Sequence, residues 1–345
     1  MKNILFLAEE LRYGGAESYF LSIENNIDRD YFSFYLMAVN GELYKRLKYP
    51  EYYYEYSFSQ IDRYRKAKKI CKLNNIDVIH VNSLRLAFVA TFLRNKSRKV
   101  IYTKHNVTEL EKISRKIYAF YLNHGLDIIN VISMSERDYM ISIGVNPDKV
   151  RVIYNGIDIK AYIGNQSYKK SDIIKCCMLA RLSPEKNHKL FIDIASKIIN
   201  NNSNVRFYIA GDGPERNNIK EYIEEKQLDD YFVMPGFVDS SNFLKNMNYL
   251  FIVSNREVLP MSIIEAMASG VIVISRDIGA VNEMIDENNG YLIRSKDAID
   301  YAKVFNYSIT SDETERIISA QKTAIKKFSL DVMINKIQKM YLEKS

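Results

Sequence analysis

Short apolar runs alternate with longer amphipathic stretches along most of the 345-residue chain. Runs such as "NILFLA" and "DVIHV" have the length and composition of buried strands. Between such runs lie stretches such as "HKLFIDIASKIINN", in which apolar residues recur at helical spacing. The alternation predicts repeated β–α units, and therefore an α/β fold with parallel sheets covered by helices.

The alternation is interrupted once, where polar and turn-forming residues accumulate in "NGIDIKAYIGNQSYKKSD". Because the chain is also long for one domain, we expect two doubly wound, Rossmann-like domains of similar size, residues 1–165 and 166–328. Such domains would face each other across a ligand-binding cleft. An amphipathic last helix, about 329–345, has no strand after it and is expected to pack back on the first domain.

The net charge of +7 is unevenly distributed along the chain. Residues 1–165 contain 25 Lys and Arg against 18 Asp and Glu, whereas the remainder contains 24 of each. Clusters such as "DRYRKAKKICK" are typical of solvated basic helix faces, but they would also suit a surface that meets an anionic membrane or an anionic acceptor. No nucleic-acid-binding module accompanies the charge, so nucleic acid is not an expected partner.

Composition also bears on the cellular compartment. No stretch approaches the length of an apolar transmembrane helix, and the apolar run near the N-terminus is better explained as a first strand than as a signal peptide. Cys71, Cys176 and Cys177 lack metal-type spacing and suggest reduced thiols. These features predict a soluble cytoplasmic protein, with contact at the inner face of the cytoplasmic membrane as an open alternative.

Two cations follow the first predicted strand of the second half, in "ARLSPEKNH". Arg181 and Lys186 would lie at the carboxyl edge of a parallel sheet, where α/β proteins bind ligands. Such a pair suits a nucleotide diphosphate, although two exposed surface cations are the simpler alternative. No cluster of ligands with metal spacing is evident, so we expect neither a metal site nor a cofactor.

A series of short motifs runs through nearly the whole chain: "GGAE", "TKHN", "NGID", "ARLSPEKNH", "IAGDGPER", "PGFV", "SNREVLPMSIIEAMASG" and "RDIGAVNEMI". In their order and spacing these motifs resemble the retaining nucleotide-sugar glycosyltransferases of family 4, which have the GT-B architecture. One position departs from the family pattern, because Val258 stands where glycine usually follows the first glutamate. The departure raises the question of how closely the backbone there can approach a sugar.

The resemblance gives roles to the stretch with two glutamates. Pro260 suits the first turn of a helix over about 261–268. The helix N-terminus would hold the diphosphate, Glu257 would reach hydroxyls of the donor sugar and Glu265 would accept both ribose hydroxyls. The alternative is a partly exposed helix whose carboxylate pairs with a cation. The other donor-binding positions expected in this stretch are Leu259, Met261 and Ser262.

In the first half the resemblance points to a loop and a histidine. Gly14 and Gly15 would let backbone N–H groups approach the diphosphate, although a tight β–α turn also explains them. His105 matches a histidine that contacts the donor sugar in the family, and it is expected to act in catalysis together with Glu257. The alternative is a satisfied neighbour of the loop. His80 is expected to be structural or to lie behind the site.

The resulting expectation is a glycosyltransferase that moves a sugar from a nucleotide diphosphate donor to an acceptor hydroxyl with retention. A UDP-sugar is favoured over a GDP-sugar, and the acceptor would be a sugar, a glycan or a lipid-linked glycan in cell-surface polysaccharide or glycoconjugate assembly. Two alternatives remain: a sugar-nucleotide epimerase of the same fold, and an inactive nucleotide-sugar-binding protein.

Overall fold

The computed structural model describes residues 1–11, 15–57, 59–105, 108–163 and 173–343, without the side chains of residues 15–18. The chain forms two compact units. Unit 1 comprises Met1–Asn155 and Leu330–Ser345, and unit 2 comprises Gly156–Ser329. The division therefore falls about ten residues before the boundary predicted at residue 165.

Among the described residues of unit 1, seven strands form one sheet of order β3-β2-β1-β4-β5-β6-β7, in which every pair is parallel. The central strands are buried on both faces, as the continuous apolar runs predict. The strands are β1 (Lys2–Glu10), β2 (Phe32–Val39), β3 (Tyr53–Glu55), β4 (Val78–Val81), β5 (Lys99–Lys104), β6 (Ile128–Val131) and β7 (Val150–Val152).

Helices cover both faces of this sheet. One core lies beneath the second, third and fifth helices, and a second core on the opposite face involves the first helix. In chain order the helices of unit 1 before residue 156 are α1 (Gly15–Asn26), α2 (Gln60–Leu73), α3 (Leu84–Thr91), α4 (Glu109–Ile113), α5 (Arg115–Gly125) and α6 (Met134–Ser142).

Unit 2 contains a second parallel sheet of six strands among its described residues, of order β10-β9-β8-β11-β12-β13. The core of unit 2 lies between one face of this sheet and the helices that cover it. The eleventh helix packs against the fourteenth elsewhere in the unit. The strands are β8 (Ile174–Leu179), β9 (Val205–Ala210), β10 (Phe232–Gly236), β11 (Tyr249–Ile252), β12 (Ile272–Arg276) and β13 (Tyr291–Ile293). The helices are α7 (Ile159–Tyr162), α8 (His188–Ile199), α9 (Arg216–Glu225), α10 (Ser240–Leu244), α11 (Met261–Ser269), α12 (Val281–Met284), α13 (Ala298–Ser308) and α14 (Thr314–Phe328).

The last helix, α15 (Leu330–Leu342), belongs to unit 1 and not to the unit that precedes it in sequence. Its apolar side chains Ile337 and Tyr341 are buried in the core that also holds α1. The ammonium of Lys99 donates to the carbonyl oxygen of Met340 at 3.0 Å and thereby ties the helix to the sheet. The chain leaves unit 2 beside the point where it entered, because Ile157 N donates to Phe328 O at 3.0 Å.

In both sheets the strand order reverses beside the first strand of the unit. In unit 2 this places β8 next to β11, with the loops that follow them side by side at the carboxyl edge. Open α/β sheets bind ligands at such a position. The loop after β8 contains Arg181 and Lys186, and the loop after β11 contains Glu257.

Candidate functional site

The loops after β8 and β11 are joined by an ion pair at the edge of the sheet. The Nζ atom of Lys186 lies 2.7 Å from Oε1 of Glu257, and the Ser254 hydroxyl donates to the same oxygen at 2.6 Å. Backbone atoms join the loops as well, since Asn255 N donates to the carbonyl oxygen of Glu185 at 2.7 Å. The structure therefore brings together a predicted phosphate-binding cation and a predicted sugar-binding carboxylate.

Both members of this pair are partly withdrawn from solvent. The side chain of Glu257 is 8% exposed and that of Lys186 is 22% exposed. A charge pair at such a position is held by mutual attraction and by the Ser254 hydrogen bond, and removing one partner would leave the other uncompensated. A diphosphate that entered the site would compete with Glu257 for the Lys186 ammonium.

The Glu257 loop rests on a glycine from the segment "RDIGAV". Gly279 has φ of +55°, and a Cβ atom at that position would lie 2.1 Å from the Glu257 carbonyl oxygen. The next residue strengthens the contact, because Ala280 N donates to the Val258 carbonyl oxygen at 3.1 Å. A side chain at Gly279 would push the Glu257 loop away from its present position.

Val258 is accommodated without backbone strain. Within the described part of the chain, the non-glycine residues with positive φ are Asn75, Asn187 and Gln227, so Val258 has an ordinary backbone conformation. Its side chain is half-buried. The loop therefore does not use the conformational freedom that a glycine would provide there.

Helix α11 begins four residues after Glu257, as the sequence predicts. Pro260 is the N-cap and has no side-chain acceptor, and no acidic side chain lies in the first turn. Met261 and Ser262 are half-buried in that turn, while Leu259 just before it is buried. The helix ends at Gly270, which has φ of +73°. Uncapped first-turn N–H groups and the helix dipole together favour an anion at this end.

Glu265 lies in the second turn of α11, where its half-buried carboxylate interacts with the nearby hydroxyls of Tyr162 and Ser240. These two hydroxyl oxygens are 2.9 Å apart. Burial raises the pKa of Glu265, and the two hydroxyl partners counteract part of that rise. The alternative of a carboxylate paired with a cation is not observed within the described residues. The carboxylate of Glu265 therefore lies among hydroxyl groups, which are the partners that a ribose would supply.

Arg181 occupies the same loop as Lys186 but is exposed. Its guanidinium forms no salt bridge with the carboxylates of the described residues. Leu182, the next residue, is fixed to the turn after β9, because Leu182 N donates to Asp212 O at 2.9 Å and Glu215 N donates to Leu182 O at 3.0 Å. "GDGPER" therefore supports the backbone of the loop that contains Arg181 and Lys186.

In unit 1 the predicted site residues follow β1 and β5. Gly14 lies outside the described residues, and Gly15 is the first residue of α1. His105 directly follows β5, is 8% exposed and packs edge-on against Tyr19 with ring centroids 4.8 Å apart. Burial lowers the pKa of His105 to about 4, so the ring is neutral at pH 7. Its buried Nε2 atom has no hydrogen-bond partner among the described residues, an unusual arrangement that marks it as a candidate ligand contact.

His80 lies beneath this position in a buried polar network. Its Nε2 atom is 2.6 Å from the Thr103 hydroxyl and its Nδ1 atom is 2.7 Å from the Tyr341 hydroxyl. Asn130 also donates to Thr103, at 3.1 Å. Burial lowers the pKa of His80 to about 3. Both ring nitrogens are occupied, which fits the structural role predicted for His80.

The sequence interpretation missed a buried lysine beside His105. Lys104 is 2% exposed, and its Nζ atom lies 3.3 Å from Glu111 Oε2 and 2.5 Å from Glu136 Oε1. A pocket of about 330 Å³ lies beside these carboxylates. The sequence gives one indication of this buried lysine, because the apolar run of β5 places Lys104 at the end of a buried strand. The pocket is lined by Glu111, Lys112, Arg115, Glu136 and Tyr139.

Neither a metal cluster nor a membrane-spanning helix is found in the described residues. No group of three or more His, Cys, Asp or Glu side chains there could hold a metal ion. Among the helices of the same part of the chain, none combines the length and the apolar character needed to cross a membrane.

Similarity to known proteins extends over both units. A family model described as glycosyltransferase family 4 matches residues 7–161, and one described as glycosyl transferases group 1 matches residues 163–324. A phosphatidylinositol N-acetylglucosaminyltransferase component from Arabidopsis thaliana is 26% identical over 202 residues, which are 56% of this chain and 45% of that protein. The chain thus spans less than half of the Arabidopsis relative.

A bacterial relative matches over more of its own length. The UDP-Gal:alpha-D-GlcNAc-diphosphoundecaprenol alpha-1,3-galactosyltransferase of Escherichia coli is 26% identical over 302 residues, 80% of this chain and 77% of that enzyme. Among solved structures, Anabaena HepE in complex with UDP has a TM-score of 0.85 at 21% identity, with 99% of both chains covered. That similarity shows the GT-B fold. Both halves of the chain match their family models, and the protein belongs to the group 1 glycosyltransferases of family 4.

Proposed function

We propose that this glycosyltransferase moves a sugar from a nucleotide diphosphate donor to an acceptor hydroxyl with retention at the anomeric carbon, and that it needs no metal or cofactor. The observation that carries the proposal is the pairing of Lys186 with Glu257 at the strand-order reversal of unit 2. Four residues beyond Glu257, the uncapped helix α11 begins. A cation, a carboxylate and a helix N-terminus there suit the phosphate and sugar parts of one ligand.

The diphosphate is held by Lys186, Arg181 and the first-turn N–H groups of α11. Arg181 is exposed and forms no salt bridge in the described part of the chain, so its guanidinium can pair with phosphate oxygens. As the bond to the sugar breaks, negative charge grows on the diphosphate. Positive groups that already point at it stabilise that charge without a metal ion.

Glu265 holds the ribose. Its carboxylate interacts with two nearby hydroxyls, and a carboxylate has about four acceptor positions, so ribose hydroxyls can add to or replace these partners. Glu257 binds hydroxyls of the donor sugar once the diphosphate has taken over Lys186. The ion pair in the present structure is then the resting state of the sugar-binding carboxylate.

His105 is proposed to contact the donor sugar. The ring is neutral at pH 7 because burial lowers its pKa to about 4, and its Nε2 atom has no partner in the part of the chain that the structure describes. A neutral imidazole can accept or donate one hydrogen bond to a hydroxyl. We assign His105 no role as a general base.

UDP is favoured as the nucleotide, and a lipid-linked glycan is favoured as the acceptor. The E. coli relative is named for UDP-Gal and for a diphosphoundecaprenol-linked acceptor, and HepE was solved with UDP. The excess of basic residues in the first 165 residues is compatible with an anionic, lipid-linked acceptor. We place the reaction in cell-surface glycan assembly, in the cytoplasm at the inner face of the membrane.

The experiment that tests this function combines two assays. Thermal shift with a panel of UDP- and GDP-sugars identifies the donor, and release of the nucleoside diphosphate is then followed with lipid-linked glycan acceptors. NMR of the product gives the anomeric configuration of the new bond. Incubation with donor alone is the control, because new sugar isomers without acceptor would indicate an epimerase. Donor binding without transfer or isomerisation across the acceptor panel would favour a binding protein.

A further inference from the structure

Large apolar side chains are exposed on three helices of unit 1, α3, α4 and α5. Phe88 and Phe92, on α3 and at its C-terminal end, are 41% and 77% exposed. Ile113, at the end of α4, is 79% exposed, and Ile117 and Phe120 on α5 are 59% and 65% exposed. We call these five side chains the α3–α5 surface. Exposed apolar residues are common singly, but a group on adjacent helices marks an interaction site.

The group is continuous between α3 and α5. The rings of Phe88 and Tyr121 stack with their centroids 4.1 Å apart, and the hydroxyls of Thr91 and Tyr121 are 3.0 Å apart. Ile117 lies one helical turn before Tyr121, and Phe92 lies one turn after Phe88. The opposite sides of α3 and α5 pack against the core of unit 1.

The core under these helices includes Ala87 and Ala90 of α3 and Tyr118 and Leu122 of α5. The outward side chains therefore cannot be explained as part of the core of unit 1. These outward side chains can be buried only by contact with another partner.

The exposed charges on α3 and α5 are positive, whereas α4 carries the exposed Glu109, which is paired with Lys112. Neither α3 nor α5 contains an aspartate or a glutamate, whereas Arg85, Arg115 and Lys116 are exposed on them. Helix α3 packs next to α2, which bears five further exposed cations, one of them paired with an aspartate of the same helix. These are Arg65, Lys66, Lys68, Lys69 and Lys72.

We propose that the α3–α5 surface docks on an anionic lipid bilayer, with its phenylalanine and isoleucine side chains in the headgroup–acyl boundary and its cations on the headgroups. Apolar and aromatic side chains flanked by Lys and Arg on the same helices are the combination that binds a bilayer interface. A second copy of the chain is a poorer partner, because two such faces would bring like charges together. The inference goes beyond the proposed reaction and needs no substrate to be tested.

Docking at this surface would also place the pocket beside Lys104 close to the headgroups. Lys112 and Arg115 line that pocket, and Ile113 lies between them in sequence. A lipid-linked substrate held in the bilayer could therefore reach the same end of the sheet. This consequence connects the surface to the proposed acceptor.

The test is co-sedimentation of the full chain with two kinds of vesicle, one of phosphatidylcholine and one of equal parts phosphatidylcholine and phosphatidylglycerol. The wild type is expected to bind the second kind and to lose binding as salt rises. Ile117→Ser together with Phe120→Ser is expected to weaken that binding about tenfold or more, because two apolar side chains no longer leave water. Tyr307→Ser is the matched control, since Tyr307 is 63% exposed on α13 of unit 2.

Three outcomes would overturn the inference: a wild type that ignores both vesicles, a double variant that binds as strongly as the wild type, or a dimer in solution that the double variant abolishes while vesicles remain unbound. The substituted positions are exposed, and an unchanged circular dichroism spectrum and thermal unfolding midpoint of the double variant would show that it folds. Vesicle binding by a protein that fails to bind any nucleotide sugar would leave this inference standing and remove the proposed function.

Discussion

The ammonium group of Lys186 lies 2.7 Å from Oε1 of Glu257, although the two residues are separated by 71 positions in the chain. The contact exists because β8 and β11 are neighbours in the sheet and their following loops meet. It joins the two groups that the proposed function assigns to phosphate and to sugar. In the absence of ligand, each neutralises the other.

Glu257→Gln tests the division of labour between these two residues. The amide retains the size of the side chain but releases the Lys186 ammonium, so UDP should bind at least as tightly as it does to the wild type. Turnover should fall by about 10- to 150-fold, because a charge-assisted bond to the sugar of about 1.5–3 kcal/mol is lost. Calorimetry with UDP and a nucleotide-release assay measure the two effects. Lys186→Gln is the matched variant, and it should weaken UDP itself.

A contrary pattern would be informative. If Glu257→Gln lowered UDP affinity and left turnover per bound donor unchanged, the carboxylate would act on the nucleotide and not on the sugar.

Metal removal gives the second prediction. Within the described residues no ligand cluster could hold a metal ion, and the diphosphate has Arg181, Lys186 and a helix N-terminus to pair with. Release of the nucleoside diphosphate should therefore continue at an undiminished rate in excess EDTA. Loss of activity with chelator and recovery with magnesium or manganese would remove the metal-free phosphate site from the account.

The buried histidines give a prediction for pH. Burial lowers the pKa of His105 to about 4 from a value of 6.5 in the unfolded chain. Because the pKa of this histidine is lower in the folded state, the unfolded state takes up the proton first as the solution is acidified. The free energy of unfolding is therefore highest above pH 6.5 and falls as the pH approaches about 4. The loss should be on the order of 2–4 kcal/mol for one fully buried histidine.

Thermal unfolding of the wild type and His105→Gln measures this loss, because glutamine cannot gain a proton in this range. The wild type should lose stability faster than the variant as the solution is acidified from about pH 7 to about pH 5. A difference between the two proteins that stays constant over that range would show that His105 is not held neutral by burial.

Much of the fold follows from the hydrophobic pattern. β2 has the bounds of its apolar run, 32–39, and α11 extends one residue beyond the helix predicted over 261–268. The hydrophobic pattern does not reveal β3, because this three-residue edge strand consists of two half-buried tyrosines and an exposed glutamate, which leave no apolar run. The unit boundary was placed too late because the chain crosses at Gly156, before the polar stretch is complete.

The site was predictable in its parts but not in its contacts. Glu257 and Lys186 each stood out, but their pairing depends on sheet order, which separate segments do not reveal. The partners of Glu265 come from α7 and α10 and carry no motif. No motif singles out Lys104 either, because a lysine at a strand end is usually exposed and its two carboxylate partners come from different helices.

The most direct test of the central claim is calorimetric titration of UDP into the wild type and into Glu265→Ala. Each hydrogen bond from a ribose hydroxyl to this carboxylate is worth about 1.5–3 kcal/mol, so removing both should cost roughly 2–5 kcal/mol after water compensates in part. We predict a loss of about thirty-fold to a few thousand-fold in UDP affinity, with the folded state retained. Equal UDP affinity of the two proteins would contradict the assignment of Glu265 to the ribose, and with it the proposed donor site on α11.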